Sequence, residues 1–157
     1  MYTIQSAGIL AYQFINQHLQ VLLVHPGGPF FKKKDEGVWS IPKGQTHPNE
    51  DLFTTAKREF TEETNLIPTE PYIELGSIQT RKNKVVSIWA YEYKPHPKDQ
   101  LKCISQVTIN WPPKTQTSIT YPENDRVEFF PIELAFSKVS PNQQAFLNKL
   151  LVILKPA

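Results

Sequence analysis

The stretch Gly44–Leu66, GQTHPNEDLFTTAKREFTEETNL, constrains this chain more than any other, because it asks one helix to carry carboxylates toward a core. At ~100° per residue, Leu52, Phe53, Ala56 and Phe60 share one side, the side an amphipathic helix buries. Glu63 projects within that same arc, Glu59 sits at its margin, and Glu62 lies roughly 60° further round. Like charges at i, i+3 and i+4 destabilise a bare helix. An ionised carboxylate facing a core is costly unless it is paired or metal-bound. Arg58 lies beside Glu59 and four residues before Glu62, but one guanidinium cannot neutralise three carboxylates. A cation from outside the helix is the economical compensation, and hard oxygen ligands at this charge density suit Mg²⁺ or Mn²⁺.

The flanking sequence supplies strands on both sides of that helix. Residues 3–14 and 20–25 are apolar, β-branched and aromatic, separated by Asn16-Gln17-His18, which reads as a hairpin. His25-Pro26-Gly27-Gly28-Pro29 ends the second strand. Val38–Ile41 reads as a short strand stopped by Pro42-Lys43-Gly44. Asn49 is the expected N-cap, with Glu50 and Asp51 in a first turn where the dipole favours anions. The helix should then run from about Glu50 to Thr64. Residues 72–79 and 84–93 form a second strand pair, turned by Arg81-Lys82-Asn83. Residues 95–122 read as mostly irregular with a strand near Val107–Trp111, and Val127–Phe130 as a short strand. A closing helix from about Asn142 to Leu154 places Phe146, Leu147, Leu150, Leu151 and Leu154 on one buried face. These elements imply an α/β fold, a sandwich with a mixed sheet between helices.

At 157 residues the chain fits a single domain, 1–157, with a core that needs no disulfide. A net charge of +2 argues against a nucleic-acid partner. The lone Cys103 suits a reducing compartment and reads as a small buried hydrophobe. No run approaches the ~18 apolar residues of a membrane span, and the N-terminus lacks the pattern of a secretory leader. A soluble, cytoplasmic protein is expected. The sequence is silent on oligomeric state.

Segment 44–66 resembles the Nudix box, Gly-x5-Glu-x7-Arg-Glu-U-x-Glu-Glu-x-Gly-U, where U is a bulky aliphatic. Gly44, Glu50, Arg58, Glu59, Glu62 and Glu63 fall in register, Phe60 takes the first U and Leu66 the second. Asn65 stands where the family has glycine, and asparagine is the next most tolerant residue of a left-handed C-cap. The resemblance implies a Nudix-type α/β/α sandwich and Mg²⁺-dependent hydrolysis of a nucleoside diphosphate linked to another moiety. It implies Glu59, Glu62 and Glu63, with the Gly44 carbonyl, as metal ligands. One of these three glutamates would act as base, with Glu59, Glu62 and Arg58 as the catalytic set and Arg58 orienting Glu59, while Glu50 and Asn65 are structural.

Substrate choice lies outside the box. Trp39-Ser40-Ile41-Pro42-Lys43-Gly44 resembles the Trp-x-x-Pro-Lys-Gly of relatives that act on dinucleoside polyphosphates and diphosphoinositol polyphosphates, and there Lys43 would meet phosphate. In the loop Pro29–Gly37, Phe30 and Phe31 offer stacking surfaces and Lys32, Lys33 and Lys34 a polyphosphate track, with Phe31 and Lys34 the chosen substrate contacts. Glu123, and after it Asp125, would bring a further acid to the metal, against the reading of Asp125 and Arg126 as a local surface pair. Trp111 and Tyr121 are further stacking candidates, with core burial the stronger reading for the tryptophan. The expected activity is hydrolysis of a nucleoside polyphosphate such as diadenosine tetraphosphate. The alternatives are a nucleoside triphosphate pyrophosphohydrolase, an RNA 5′ pyrophosphohydrolase or a non-catalytic ligand sensor.

Overall fold

The computed structural model describes residues 3–81 and 83–155. Strand β1 (Ile4–Ile15) alternates faces, as period-2 side chains must: Ala7, Ile9 and Ala11 enter one core cluster, Leu10 and Tyr12 the other. The first cluster is closed by Ala56, Phe60 and Leu66 from helix α1 (Leu52–Thr64) and its C-terminal turn. The second is closed by helices α2 (Ile132–Lys138) and α3 (Gln144–Leu154), through Ile132, Ala135, Phe146, Leu147 and Leu150. One sheet buried on both faces by helices is the predicted α/β/α sandwich.

The sheet follows the order β4-β5-β1-β2-β8, from β4 (Tyr72–Arg81), β5 (Lys84–Glu92), β2 (His18–Pro26) and β8 (Asn124–Pro131). It is mixed, because β1 and β5 run parallel while the remaining pairs are antiparallel. The β1–β2 hairpin turns at Asn16 and Gln17, both left-handed at φ 51 and 68, the conformation a two-residue turn demands. These strands stay paired only from Tyr12 outward. Toward the other end they part, and β3 (Lys43–Gln45) pairs with the freed edge of β1 while Val24 of β2 bridges to Ser40. That split is where the segment leading into α1 meets the helix's own carboxylates, so it positions the site.

Several boundaries differ from the sequence reading. The expected strand Val38–Ile41 is reduced to bridges at Trp39 and Ser40, and the strand falls on Lys43–Gln45, since only that segment reaches the open edge of β1. Asp51, not Asn49, caps α1: its carboxylate accepts from Thr54 N at 2.7 Å, while Asn49 takes a left-handed turn at φ 65. Asn65 ends the helix at φ 65, its N–H donating to the Thr61 carbonyl. The region read as irregular holds a second strand, and β6 (Gln106–Asn110) and β7 (Ser118–Pro122) form a separate ribbon. Helix α2 was not anticipated, because seven residues are too few to display a period. A 3-10 turn at Pro141–Gln143 precedes α3, whose Leu151 is exposed beside Phe14 and Leu19 instead of joining the core. Cys103 is half-buried, its Sγ 3.3 Å from Ser105 Oγ. Lys82, at the expected β4–β5 turn, lies outside the described residues. Among the described residues no helix is long and apolar enough to cross a membrane.

Candidate functional site

One turn apart on α1, Glu59 and Glu63 face inward at 7% and 4% exposure, the buried side that helical spacing assigned them. Glu123, exposed at the corner between β7 and β8, reaches the same point. Carboxylate oxygens of Glu59, Glu63 and Glu123 all lie within 4.8 Å of one another. Glu63 Oε1 accepts from Asn124 Nδ2 at 2.9 Å, but its Oε2 is buried with no partner. Burial pushes the Glu63 carboxyl well above the usual range, and the charges of Glu123 and Glu59 add to that. Glu59 is also raised, chiefly by burial, with the neighbouring Glu63 carboxyl and then Arg58 opposing. A buried carboxylate oxygen without a donor calls for a proton or a cation. Three hard oxygen donors, one of them on the carboxylate with the bare oxygen, fit a divalent cation such as Mg²⁺ or Mn²⁺.

Gly44 belongs to this arrangement for a steric reason. A Cβ on Gly44 would lie 2.2–2.4 Å from the Glu59 carboxyl atoms, so the β3 backbone presses directly on that group. Only glycine permits the approach. Lys43, half-buried on the same strand, lies within the field of Glu63, Glu59 and Glu123. Burial and Lys84 lower its pKa, and the three acids oppose the shift.

Arg58 uses its whole guanidinium. Nε and Nη2 bind Glu50 at 2.8 and 2.9 Å, Nη2 also donates to the Gln45 carbonyl, and Nη1 donates to Glu59 at 2.9 Å and to Glu62 at 3.3 Å. Glu50 accepts additionally from Thr55 Oγ1 at 2.6 Å and from His47 N. Arg58 and those donors hold its carboxyl far below the usual range. Glu50 thus anchors Arg58 and the loop before α1, and Arg58 anchors Glu59. Glu62 stands at the rim, partly exposed and shared with Arg58, outside the close group of Glu59, Glu63 and Glu123.

The remaining predicted residues divide. Glu123 joins the acids, its Oε2 accepting from Ser105 Oγ at 3.0 Å. Asp125 turns to the other face and meets His25 Nδ1 at 2.7 Å. Asp125 thus joins neither the acids nor the alternative pair with Arg126, which binds Glu128 at 2.6 Å and lies over the Trp39 ring. Lys34 and Phe31 contact each other, ammonium over ring at 5.4 Å. It is Phe30, 53% exposed, that meets the ribbon, its ring edge-on to Trp111 at 5.0 Å. Trp111 is therefore half-buried on the ribbon and not in the core. Tyr121 lies over Gly28, where a Cβ would come within 2.5 Å of its ring. Asn124, His25 and Ser105 are the polar residues that sequence reasoning missed. The partner of each lies far away in sequence, and only the folded arrangement brings the two together.

A family profile described as NUDIX domain matches residues 5–150. No curated protein sequence matches the chain. Among solved structures, a Caenorhabditis elegans Ap4A hydrolase in a binary complex superposes with a TM-score of 0.67 at 20% identity, covering 97% of this chain and 98% of the other. The NUDIX domain of Shewanella oneidensis NrtR complexed with ADP ribose gives 0.71 at 15% identity, over 99% and 90%. A MutT protein from Methanosarcina mazei Go1 gives 0.65 at 15% identity, over 99% and 97%. At these identities the superpositions establish the shared fold.

Proposed function

The chain belongs to the Nudix family of pyrophosphohydrolases, and we propose that it cleaves the pyrophosphate linkage of a nucleoside polyphosphate, with a dinucleoside polyphosphate such as diadenosine tetraphosphate as first choice. The observation that carries the reading is the bare, buried Glu63 Oε2 inside the group of Glu59, Glu63 and Glu123. Mg²⁺, or Mn²⁺ in its place, would be held by Glu59, Glu63 and Glu123, with Glu62 and the Gly44 carbonyl as further ligands. Such an ion supplies charge stabilisation on the phosphate oxygens and acidifies an attacking water.

The protein's own groups do the positioning. Glu59, fixed by Arg58 and by the Gly44 backbone, accepts the proton of the attacking water, with Glu62 the other candidate base. The water oxygen bonds to one phosphorus, and the bridging P–O bond breaks with its electron pair leaving on the departing phosphate. Lys43 faces the anionic chain beside the acids, where its charge meets phosphate oxygens. The Lys32–Lys34 loop offers positive charge along a longer polyphosphate. Phe30 and Trp111, joined edge to face, offer a surface on which a nucleobase can stack. Phe31 and Lys34 complete that loop. The C. elegans protein named an Ap4A hydrolase shares this fold over nearly the full length of both chains, and its named substrate is the first to test here. Residues 1–157 would act as one catalytic domain in the reducing cytoplasm, a setting the single Cys103 suits.

The test is turnover with Mg²⁺ across diadenosine tetraphosphate, nucleoside triphosphates, ADP-ribose and 5′-triphosphorylated RNA, with products identified. Asymmetric cleavage of diadenosine tetraphosphate to ATP and AMP as the fastest reaction is the expected result. A higher kcat/KM on nucleoside triphosphates would replace the substrate and keep the reaction class. Metal binding without turnover on any nucleotide would instead make the chain a ligand sensor.

A further inference from the structure

Successive side chains of a strand point to opposite faces, so Asn124 and Asp125 cannot both serve the acidic group from a regular β8. The pairing of β2 with β8 shows how they are divided. Val24 faces Val127 and His25 faces Arg126, and then the register jumps to Pro26 facing Asn124. Asp125 is the extra residue, a bulge of the kind that re-aims a side chain.

Both consequences are visible. Asp125 turns to His25 Nδ1 at 2.7 Å, on the face where His25 packs edge-on to Trp39. His25 is 3% exposed, and its Nε2 donates to the Lys34 carbonyl at 2.7 Å. The ring therefore ties the bulge to the Lys32–Lys34 loop. Asn124 turns the other way, under α1, and its amide donates to Glu63 Oε1. Its second amide hydrogen points to Cys103 Sγ, a weak acceptor at 3.9 Å.

We propose that Asn124 is a positioning residue for Glu63, aimed by the Asp125 bulge that His25 pins. The proposal rests on the reading of Glu63 as a metal ligand. Once Oε1 is occupied by the amide, rotation of the carboxylate is blocked and Oε2 is presented to the cation. A neutral amide suits this position: a carboxylate would add a fourth negative charge, and an ammonium would cancel the charge that the cation needs. Residues hydrogen-bonded to a ligand orient it, and their loss typically costs ~10–100-fold in metal affinity.

The experiment measures Mn²⁺ binding to substrate-free protein by the electron paramagnetic resonance of the free ion, with thermal melting of the metal-free proteins in parallel. Asn124→Leu, similar in size but without a donor, is expected to weaken Mn²⁺ binding by ~10–100-fold. Asp125→Ala, which removes a half-exposed group and leaves the amide in place, should weaken it severalfold. Wild-type Mn²⁺ affinity in a folded Asn124→Leu overturns the proposal. If that variant does not fold, Asp125→Ala decides, and wild-type affinity there overturns it. Weak binding by Asn124→Leu alone overturns the bulge's part and upholds the amide's. A wild-type protein that takes up no Mn²⁺ overturns the metal reading itself, a result distinct from the others.

Discussion

Helix α1 and the β7–β8 corner both deliver side chains to one acidic group, yet they do so by opposite means. On α1, Glu59 and Glu63 are one turn apart, so a period of 3.6 residues alone stacks them on the buried side. At the corner, Glu123 and Asn124 are sequence neighbours that strand geometry would send to opposite faces. A break between strands and a bulge opposite His25 and Pro26 bring both to Glu63. The helix holds its acids rigidly against a core, whereas the corner holds an exposed acid through Ser105 and a ribbon that stands outside the main sheet. Chemistry that depends on fixed placement should therefore fail first on the helix side.

The largest expected effect follows directly. Glu63→Gln and Glu59→Gln keep size and remove charge, and each should lower kcat by on the order of 10³-fold. Both should also melt at a higher temperature without metal, because a buried charge with a raised pKa opposes folding. Steady-state kinetics and calorimetry on the same samples check both signs. Near-wild-type turnover in both variants breaks the claim that α1 carries the chemistry. Gly44→Ala should rank next at roughly 10²-fold, since the new Cβ must push the Glu59 carboxylate aside and a displacement of ~1 Å suffices for such a loss. From the corner, Glu123→Gln should cost less than either helix variant, because that acid is exposed and held only through Ser105 and the ribbon. A loss matching that of Glu63→Gln would put corner and helix on the same footing.

The two regions also differ in how far they were legible. Glu63 facing the core follows from 100° steps counted from Leu52, Ala56 and Phe60, and the structure agrees because helical geometry is local. The hairpin at Asn16, the two-faced alternation of β1 and the αL cap at Asn65 are local in the same sense. The cap at Asp51 escaped because two Asn/Asp candidates only two residues apart compete, and turn formation at His47–Glu50 decides between them. Asn124 and His25 escaped for a stronger reason. Their roles depend on which residue of β2 faces which residue of β8, a register set by the packing of the whole sheet. Phe30 and Trp111 meet across some eighty residues, and nothing in either stretch announces the other.

A smaller effect concerns protons. Glu63 and Glu59 have raised pKa values in the fold, so their cost is absent below the unfolded carboxylate range of ~4.3 and grows as pH rises through the folded values. Glu50 runs the other way: Arg58 holds it low, so its contribution is present above ~4.3 and is lost as pH falls below that. Metal-free protein should melt at its highest temperature in mildly acid solution, between those windows. Mg²⁺ competes with protons for the same oxygens. Melting curves from pH 5 to 8 should therefore show a Mg²⁺-induced rise that grows with pH. A rise independent of pH would mean that the cation binds elsewhere.

The smallest effect falls on the ribbon, where the comparison is sharpest because no metal ligand is touched. Phe30 and Trp111 pair outside both core clusters, so replacing either with alanine should change melting little. If a nucleobase stacks there, Phe30→Ala and Trp111→Ala should each raise KM for diadenosine tetraphosphate by roughly 5–10-fold, the scale of an aromatic pair worth about 1 kcal/mol, with kcat nearly constant. The same variants should leave the KM for inorganic tripolyphosphate unchanged, because it has no base to lose. A parallel rise for both substrates would show that the ribbon acts by placing Glu123, and the division between a rigid helix that reacts and an outlying ribbon that recognises would not hold.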